Sequence, residues 1–328
     1  MTPRRSRHGY CLRLAQGSFS TSLRGALALS TNSSELYEGL WETITKDSLF
    51  FIGWFREAHA IAFAKEIASH NIISQGDKLA DIACGNSLYP KVVSRICGTT
   101  FVGIDLSYTA LQETRRLLRG VYPERDSSVA SLPQNDTKRR ARNDKACPIL
   151  CSGLIQTEAS QLPLASSTFD IILSTHTLEH LSRDKETLEE FARILKKGGY
   201  LRLEVPNSKK QMAPLFRPLE RRLDKLGHLR EYHPSDLITL LSHCHFSVCQ
   251  IYYTDFLLFW FFSSIEEYLR PIIRLFKLDK AMHKLLPQNG PAQHALASTL
   301  SRLILLENKL LKKNPRGMNI CCIAQRTD

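Results

Sequence analysis

Asp81-Ile-Ala-Cys-Gly-Asn-Ser87 lies where a short buried strand, Lys78 to Ala83, gives way to a helix carrying Val92, Val93 and Ile96. Small residues in such a turn let a ligand approach the backbone, and Gly85 can take a positive φ. Downstream, Thr100 to Asp105 reads as a second strand that ends on an acid, and Ser107 to Arg119 as a helix. A carboxylate in that place can accept from both hydroxyls of a ribose, each charge-assisted bond contributing roughly 1.5–3 kcal/mol. Strand, glycine turn, helix, strand and acid together predict an open parallel sheet that binds a ribonucleoside at its carboxyl edge.

The alternation continues along the chain. Strands are expected near Ile149 to Ile155 and at Phe169 to Ser174, then a helix from Asp184 to Leu195, a stop at Gly198-Gly199 and a strand at Tyr200 to Val205. Asp236 to Leu241 reads as helix, Phe246 to Tyr253 as strand and Asn319 to Gln325 as the closing strand. Strands separated by helices mean an α/β doubly wound, Rossmann-like sheet covered on both faces, seven-stranded and mostly parallel with the last strand antiparallel. Ahead of it, 35–75 carries N-terminal helices, one with Leu36, Leu40, Trp41 and Ile44 on a single face and one from Phe55 to Ser69. The segments divide as a core at 76–206, interrupted by a polar, disordered insertion at 121–148, and a remainder at 207–328 with a helical lid at 256–313.

The net charge of +12 is unevenly spread. Residues 1–34 hold five arginines and no acid, and 207–328 hold 18 Lys/Arg against 10 Asp/Glu, so the centre is nearly neutral. That gives no strong sign of a nucleic-acid groove across the core, although the basic flanks suit phosphates or an anionic lipid surface. The Arg- and Ser-rich first 34 residues have the composition of an organellar transit peptide, which points to an organellar matrix, with the cytosol as the alternative. The apolar run Phe256 to Phe262 is too short to span a bilayer, so the chain is not expected to be integral to a membrane. Nine scattered cysteines without a CxxC pair indicate neither a zinc ribbon nor a disulfide framework. Nothing in the sequence fixes an oligomeric state.

The segments LADIACGNS, FVGIDLS, EASQLPLASSTFDIILS, LEHL and LKKGGYLRLEVPN, in this order over residues 76–206, resemble class I S-adenosylmethionine-dependent methyltransferases of the small-molecule type, including ubiquinone-biosynthesis O-methyltransferases. A weaker similarity continues in GHLREYHPSDL. The resemblance implies S-adenosyl-L-methionine as cofactor, with Asp81, Ala83 and Gly85 lining its methionine moiety. Asp105 would hold the ribose, Leu106 would flank the adenine, Glu158 would accept from the adenine amino group, and Ala159 and Thr175 would complete the pocket. Glycine is usual in that family where this chain has Ala83 and Ser87. A dinucleotide is the rival cofactor, but its pyrophosphate needs the glycines of GxGxxG and this turn has only one.

Methyl transfer from a sulfonium is an in-line displacement that needs a general base only when the acceptor is protonated, and histidine suits that work near neutral pH. His176 follows the fourth strand at the carboxyl edge, while His228 and His233 fall after the fifth, where the resemblance places substrate-facing residues. His228 or His233 is the preferred base. The bland readings are a histidine bonded to backbone for His180 and a helix-capping loop around Asp236. Thr175-His176-Thr177-Leu178-Glu179-His180 also spells HxxEH, a zinc-peptidase pattern, but it follows a strand rather than lying within a helix, so no metal is expected.

The apolar lid with its basic rim suits a small, lipophilic acceptor, methylated on oxygen or carbon, or a peripheral contact with a membrane. The helix from Leu296 to Leu311 carries Leu296, Leu300, Leu303 and Leu310 on one side, with Lys309, Lys312 and Lys313 near its end. The alternatives are an RNA or protein methyltransferase, suggested by the basic flanks, and a non-catalytic methyltransferase-like binding or assembly factor, suggested by Ala83 and Ser87.

Overall fold

The computed structural model describes residues 50–119, 150–208, 228–262, 264–265, 268 and 291–327. The arginine-rich extension, the helix around Leu36 to Ile44, the insertion at 121–148 and most of the segment between Phe262 and Pro291 lie outside the described residues.

The elements run α1 (Phe50–Ser69), β1 (Lys78–Ile82), α2 (Leu88–Cys97), β2 (Thr100–Asp105), α3 (Tyr108–Arg119), β3 (Leu150–Gln156), β4 (Phe169–Thr175), α4 (Asp184–Ile194), β5 (Leu195–Pro206), α5 (Pro234–His243), β6 (Phe246–Thr254), α6 (Pro291–Leu311) and β7 (Asn319–Arg326). The strands form one seven-stranded sheet in the order β3-β2-β1-β4-β5-β7-β6. Six point the same way, and β7 lies antiparallel to both β5 and β6. The chain order reverses between β1 and β4, and open α/β sheets bind ligands outside the carboxyl ends of the strands at such a point.

Strand residues alternate between two buried faces, as a period of two requires. Ala80, Ile82, Ile172, Leu203 and Cys322 pack with Leu188 and Phe191 of α4 and Leu237 and Leu241 of α5. Their chain neighbours Leu79, Ile171 and Cys321 turn the other way, with Phe63 and Ile67 of α1, Val92 and Val93 of α2, and Ala297 and Ile304 of α6. Local chemistry sets the helix ends. Gly98, at φ 71, closes α2 by donating its N–H to the Ser94 carbonyl. Asp184 and Glu186 occupy the first turn of α4 and Arg193 its last, matching the helix dipole.

One expectation is corrected. Gly198-Gly199 does not separate helix from strand: β5 begins at Leu195, and its partner register jumps from Phe169↔Leu195 to Ile171↔Tyr200. Gly198 absorbs this bulge at φ 73, and a Cβ on Gly199 would stand 2.9 Å from the Asp170 carbonyl oxygen. In α6 the leucine side faces outward. Leu296, Leu303, Leu306 and Leu310 are exposed, whereas Ala297, Ser301, Ile304 and Asn308 are buried. Of the predicted stripe, Leu300 alone packs partly against the core. Among the described residues no helix is long and apolar enough to cross a membrane.

Candidate functional site

The turn after β1 is built from left-handed residues: Ala83 (φ 57), Gly85 (φ 53) and Ser87 (φ 51). Glycine adopts this conformation without steric cost, whereas Ala83 and Ser87 each bear the clash of their Cβ, roughly 1–2 kcal/mol. The turn is braced from β2 and α3. The Cys84 N–H donates to the Ile104 carbonyl at 2.9 Å, and the Thr114 hydroxyl donates to the Gly85 carbonyl at 3.0 Å. From β4's side, the Thr177 hydroxyl donates to the Ile82 carbonyl at 3.2 Å.

Asp105 closes on this turn. Its Oδ2 accepts the Gly85 N–H at 2.8 Å and its Oδ1 accepts the Ser107 N–H at 2.8 Å. Held so, the carboxylate stands against the Gly85 backbone rather than turning away from it. Asp81 is 5% exposed and Asp105 6%. Burial first, and then the charge of Asp105, hold the Asp81 carboxyl well above the usual carboxylate range. Leu106 is half-buried and its carbonyl accepts from the Gln156 side chain at 3.1 Å. Glu158, 46% exposed, accepts from Ser160 at 2.7 Å and from Arg183 at 3.0 Å, with Ala159 buried beside it. Thr175, at the end of β4, has a buried hydroxyl without a partner among the described residues.

His176, which follows Thr175, leads to a second group of residues. At φ 53, its Nδ1 lies 3.2 Å from Glu179 Oε1 and its Nε2 3.5 Å from Glu204 Oε1. Burial disfavours the charged ring, but the hydrogen bonds and charges of the two carboxylates outweigh it and raise the pKa to about 10. The two carboxylates thus favour the protonated ring, although its side chain is 45% exposed and solvent screens part of their effect.

Of the other two candidate bases, His228 comes to the site and His233 does not. His233 is the N-cap of α5, its ring accepting from the Ser235 N–H and lying 2.7 Å from the Ser235 hydroxyl. The capping reading of this loop thus holds, with His233 as the cap. His228 packs edge-on against His180, ring centres 5.0 Å apart, above the 3-10 turn Leu178–His180. Glu179, His180 and His228 each offer one ligand atom, all within 4.8 Å of one another.

A polar seam, not legible in the sequence, continues from His176 along the same edge of the sheet. Glu204 Oε1 accepts from the Asn319 amide at 3.0 Å, and the same amide donates to Asp255 Oδ2 at 2.6 Å. Asp255 Oδ1 pairs with His59 Nε2 at 2.6 Å, and His59 Nδ1 meets the Tyr89 hydroxyl at 3.0 Å. Phe55, Phe259 and Tyr89 surround His59, and Phe262 stacks on Phe55. Burial disfavours the charge on His59, yet Asp255 and the more distant acids raise its pKa above the ordinary value. Below the seam, Arg202 pairs with Glu204 at 2.6 Å and lies 4.0 Å above the Phe63 ring.

A family model described as a methyltransferase domain matches residues 126–203. Over that segment the chain is similar to S-adenosylmethionine-dependent methyltransferases, whose cofactor is S-adenosyl-L-methionine. Among individual relatives, a malonyl-(acyl-carrier protein) O-methyltransferase of Laribacter hongkongensis is 31% identical over 110 residues, 30% of this chain and 36% of that enzyme. The aligned stretch thus spans about a third of that relative's length. Solved structures that align include a protein described as a sarcosine dimethylglycine methyltransferase from Galdieria sulphuraria, at 12% identity and a TM-score of 0.47 over 81% of this chain and 84% of that one. Another is the (4+2)-cyclase SpnF, at 16% identity and a TM-score of 0.48 over 80% and 79%.

Proposed function

We propose that the protein transfers the methyl group of S-adenosylmethionine to an oxygen or carbon of a small, hydrophobic acceptor. The observation that carries this reading is the meeting of two half-sites at one edge of the sheet. The Asp105 carboxylate against Gly85 offers a seat for the nucleoside, and the seam from His176 to His59 lies beside it under Phe55, Tyr89 and Phe259. In this arrangement Asp81, Ala83 and Gly85 line the methionine moiety, Asp105 takes the ribose, Leu106 flanks the adenine, Glu158 accepts from the adenine amino group, and Ala159 and Thr175 complete the pocket. Orientation supplies most of the rate, with effective molarities of about 10⁵–10⁸ M within reach. The O-methyltransferase relative supports an oxygen acceptor on a small or carrier-bound molecule.

Calorimetry with S-adenosylhomocysteine tests the cofactor half. Binding at one site is expected, with a loss of about tenfold or more in Asp105→Ala, since each charge-assisted bond contributes roughly 1.5–3 kcal/mol. Folded protein that binds none, with or without an acceptor, refutes the proposal. The exposed leucines of α6, with Lys309, Lys312 and Lys313 exposed near its end, favour an acceptor delivered from an anionic membrane surface. Co-sedimentation with phosphatidylserine vesicles is expected to fall in a Leu303→Ser/Leu310→Ser variant. Equal sedimentation of variant and parent would rule that surface out.

A further inference from the structure

We propose that Glu179, His180 and His228 form a binding site for a divalent cation of the zinc type on the acceptor side of the crevice. The HxxEH pattern in the sequence lacks the helix on which a zinc peptidase carries its ligands, and the fold supplies another route. The 3-10 turn after β4 sets Glu179 and His180 side by side, and the chain beyond β5 returns to bring His228 over them. That return is fixed by the backbone: the Leu229 N–H donates to the Glu179 carbonyl at 2.8 Å, and Asn207 bridges to Tyr232. Arg230 pairs with Asp184, and the Tyr232 hydroxyl donates to the same carboxylate at 3.0 Å.

Three observations point to a cation rather than to a packing cluster. A carboxylate oxygen and two ring nitrogens lie within 4.8 Å of one another. Zinc takes such atoms at roughly 2.0–2.2 Å, which sets ligands roughly 3–3.5 Å apart, a contraction within reach of side-chain rotation. Glu179 is wholly buried, and its Oε2 has no hydrogen-bond partner among the described residues; a buried acceptor left unmade is costly, and a cation satisfies it. His180 and His228 are only partly buried, so the site opens toward solvent on one side, as a centre needs if it is to keep positions for water or substrate. Two imidazoles with one carboxylate favour zinc or its neighbours over magnesium or calcium, which prefer an all-oxygen set.

Such a cation has a clear use in the proposed reaction. An acceptor hydroxyl that ligates it loses its proton to solvent more readily, so the oxygen reaches the methyl group as an anion. This use rests on the methyltransferase reading, whereas the cation site itself does not.

The test is titration of the metal-stripped full-length chain with Co²⁺, read by calorimetry and by the visible spectrum. One equivalent is expected, with a spectrum of nitrogen and oxygen ligands and no thiolate charge-transfer band, so that binding to cysteines is distinguished. His228→Ala should weaken binding at least tenfold, and so should Glu179→Gln. Because Glu179 is buried, its variant is judged only if its melting curve is cooperative; His228→Ala, on a partly exposed residue, is the decisive one. S-adenosylhomocysteine affinity is measured on the same samples and should be unchanged by His228→Ala. Absence of Co²⁺ binding by folded parent, a thiolate spectrum, or equal affinity in His228→Ala overturns the site. Co²⁺ binding as expected without S-adenosylhomocysteine binding supports the site and refutes the methyltransferase reading.

Discussion

Asp81 and Asp105 lie on neighbouring strands, both buried and close enough for the charge of Asp105 to act on Asp81. Asp105 has two backbone donors, whereas burial and the neighbouring charge raise Asp81. In the proposed complex the ammonium of S-adenosylhomocysteine approaches Asp81, and a cation favours the ionised carboxylate. Binding therefore releases a proton while the pH is below the Asp81 pKa of the free protein. Affinity should rise with pH through that range and level off above it. Calorimetry in two buffers of different ionisation enthalpy reads the released proton directly. Asp81→Asn should bind more weakly and lose the slope; a parent protein whose affinity is flat from mildly acid to mildly alkaline pH would remove Asp81 from the cation's neighbourhood.

The elements show how a strand can serve a site it does not reach with a side chain. Gly103 sits inside β2, and a Cβ there would stand 2.9 Å from Leu154 Cδ2, 3.0 Å from Cys84 Sγ and 3.2 Å from Ser87 Oγ. The bare backbone lets the cofactor turn settle on the sheet. Gly103→Ala should cost about 1–3 kcal/mol of stability by overpacking and weaken S-adenosylhomocysteine binding as Cys84 and Ser87 shift; a thermal melt and a titration read the two effects, and unchanged values in both would mean that Leu154 and the turn give way freely. Period-two and helical patterns made the strands, the order of elements and the glycine turn after β1 readable in the sequence, because each is decided by neighbours in the chain. The face of α6 was not, since a leucine stripe and the row Ala297, Ser301, Ile304 and Asn308 both fit a helix, and only the packing of α6 on α1 chooses between them. His233 read as a base because its capping of α5 depends on backbone geometry. The seam was invisible for a related reason: the Asn319–Asp255 bond joins residues 64 apart, and the His59–Asp255 bond residues 196 apart.

At the scale of the molecule, one cation ties four elements together beneath the site. Arg202 of β5 is fully buried, pairs with Glu204 at 2.6 Å and with Glu66 of α1 at 3.6 Å, and donates to Cys321 Sγ of β7 at 3.4 Å. Glu66 in turn accepts from the Tyr252 hydroxyl of β6. Burial disfavours charge on Glu204, but Arg202 and His176 hold its pKa well below the usual range, whereas burial wins at Glu66 and raises it. The ion pair with Glu204 is thus the one that matters for stability. Arg202→Met keeps the volume and removes the charge, leaving Glu204 ionised in the core, and breaking a buried pair in this way costs about 3–5 kcal/mol. The penalty belongs to the stranded carboxylate rather than to lost packing, so Arg202→Met/Glu204→Gln should recover a large part of it, the amide still being able to meet Asn319. Urea unfolding of the three proteins decides this: a single variant within about 1 kcal/mol of the parent, or a double variant no more stable than the single, would mean that water or a proton already neutralises Glu204. In that case the seam above it would be loosely held, and His176 would lose one of the two charges that keep its proton in place.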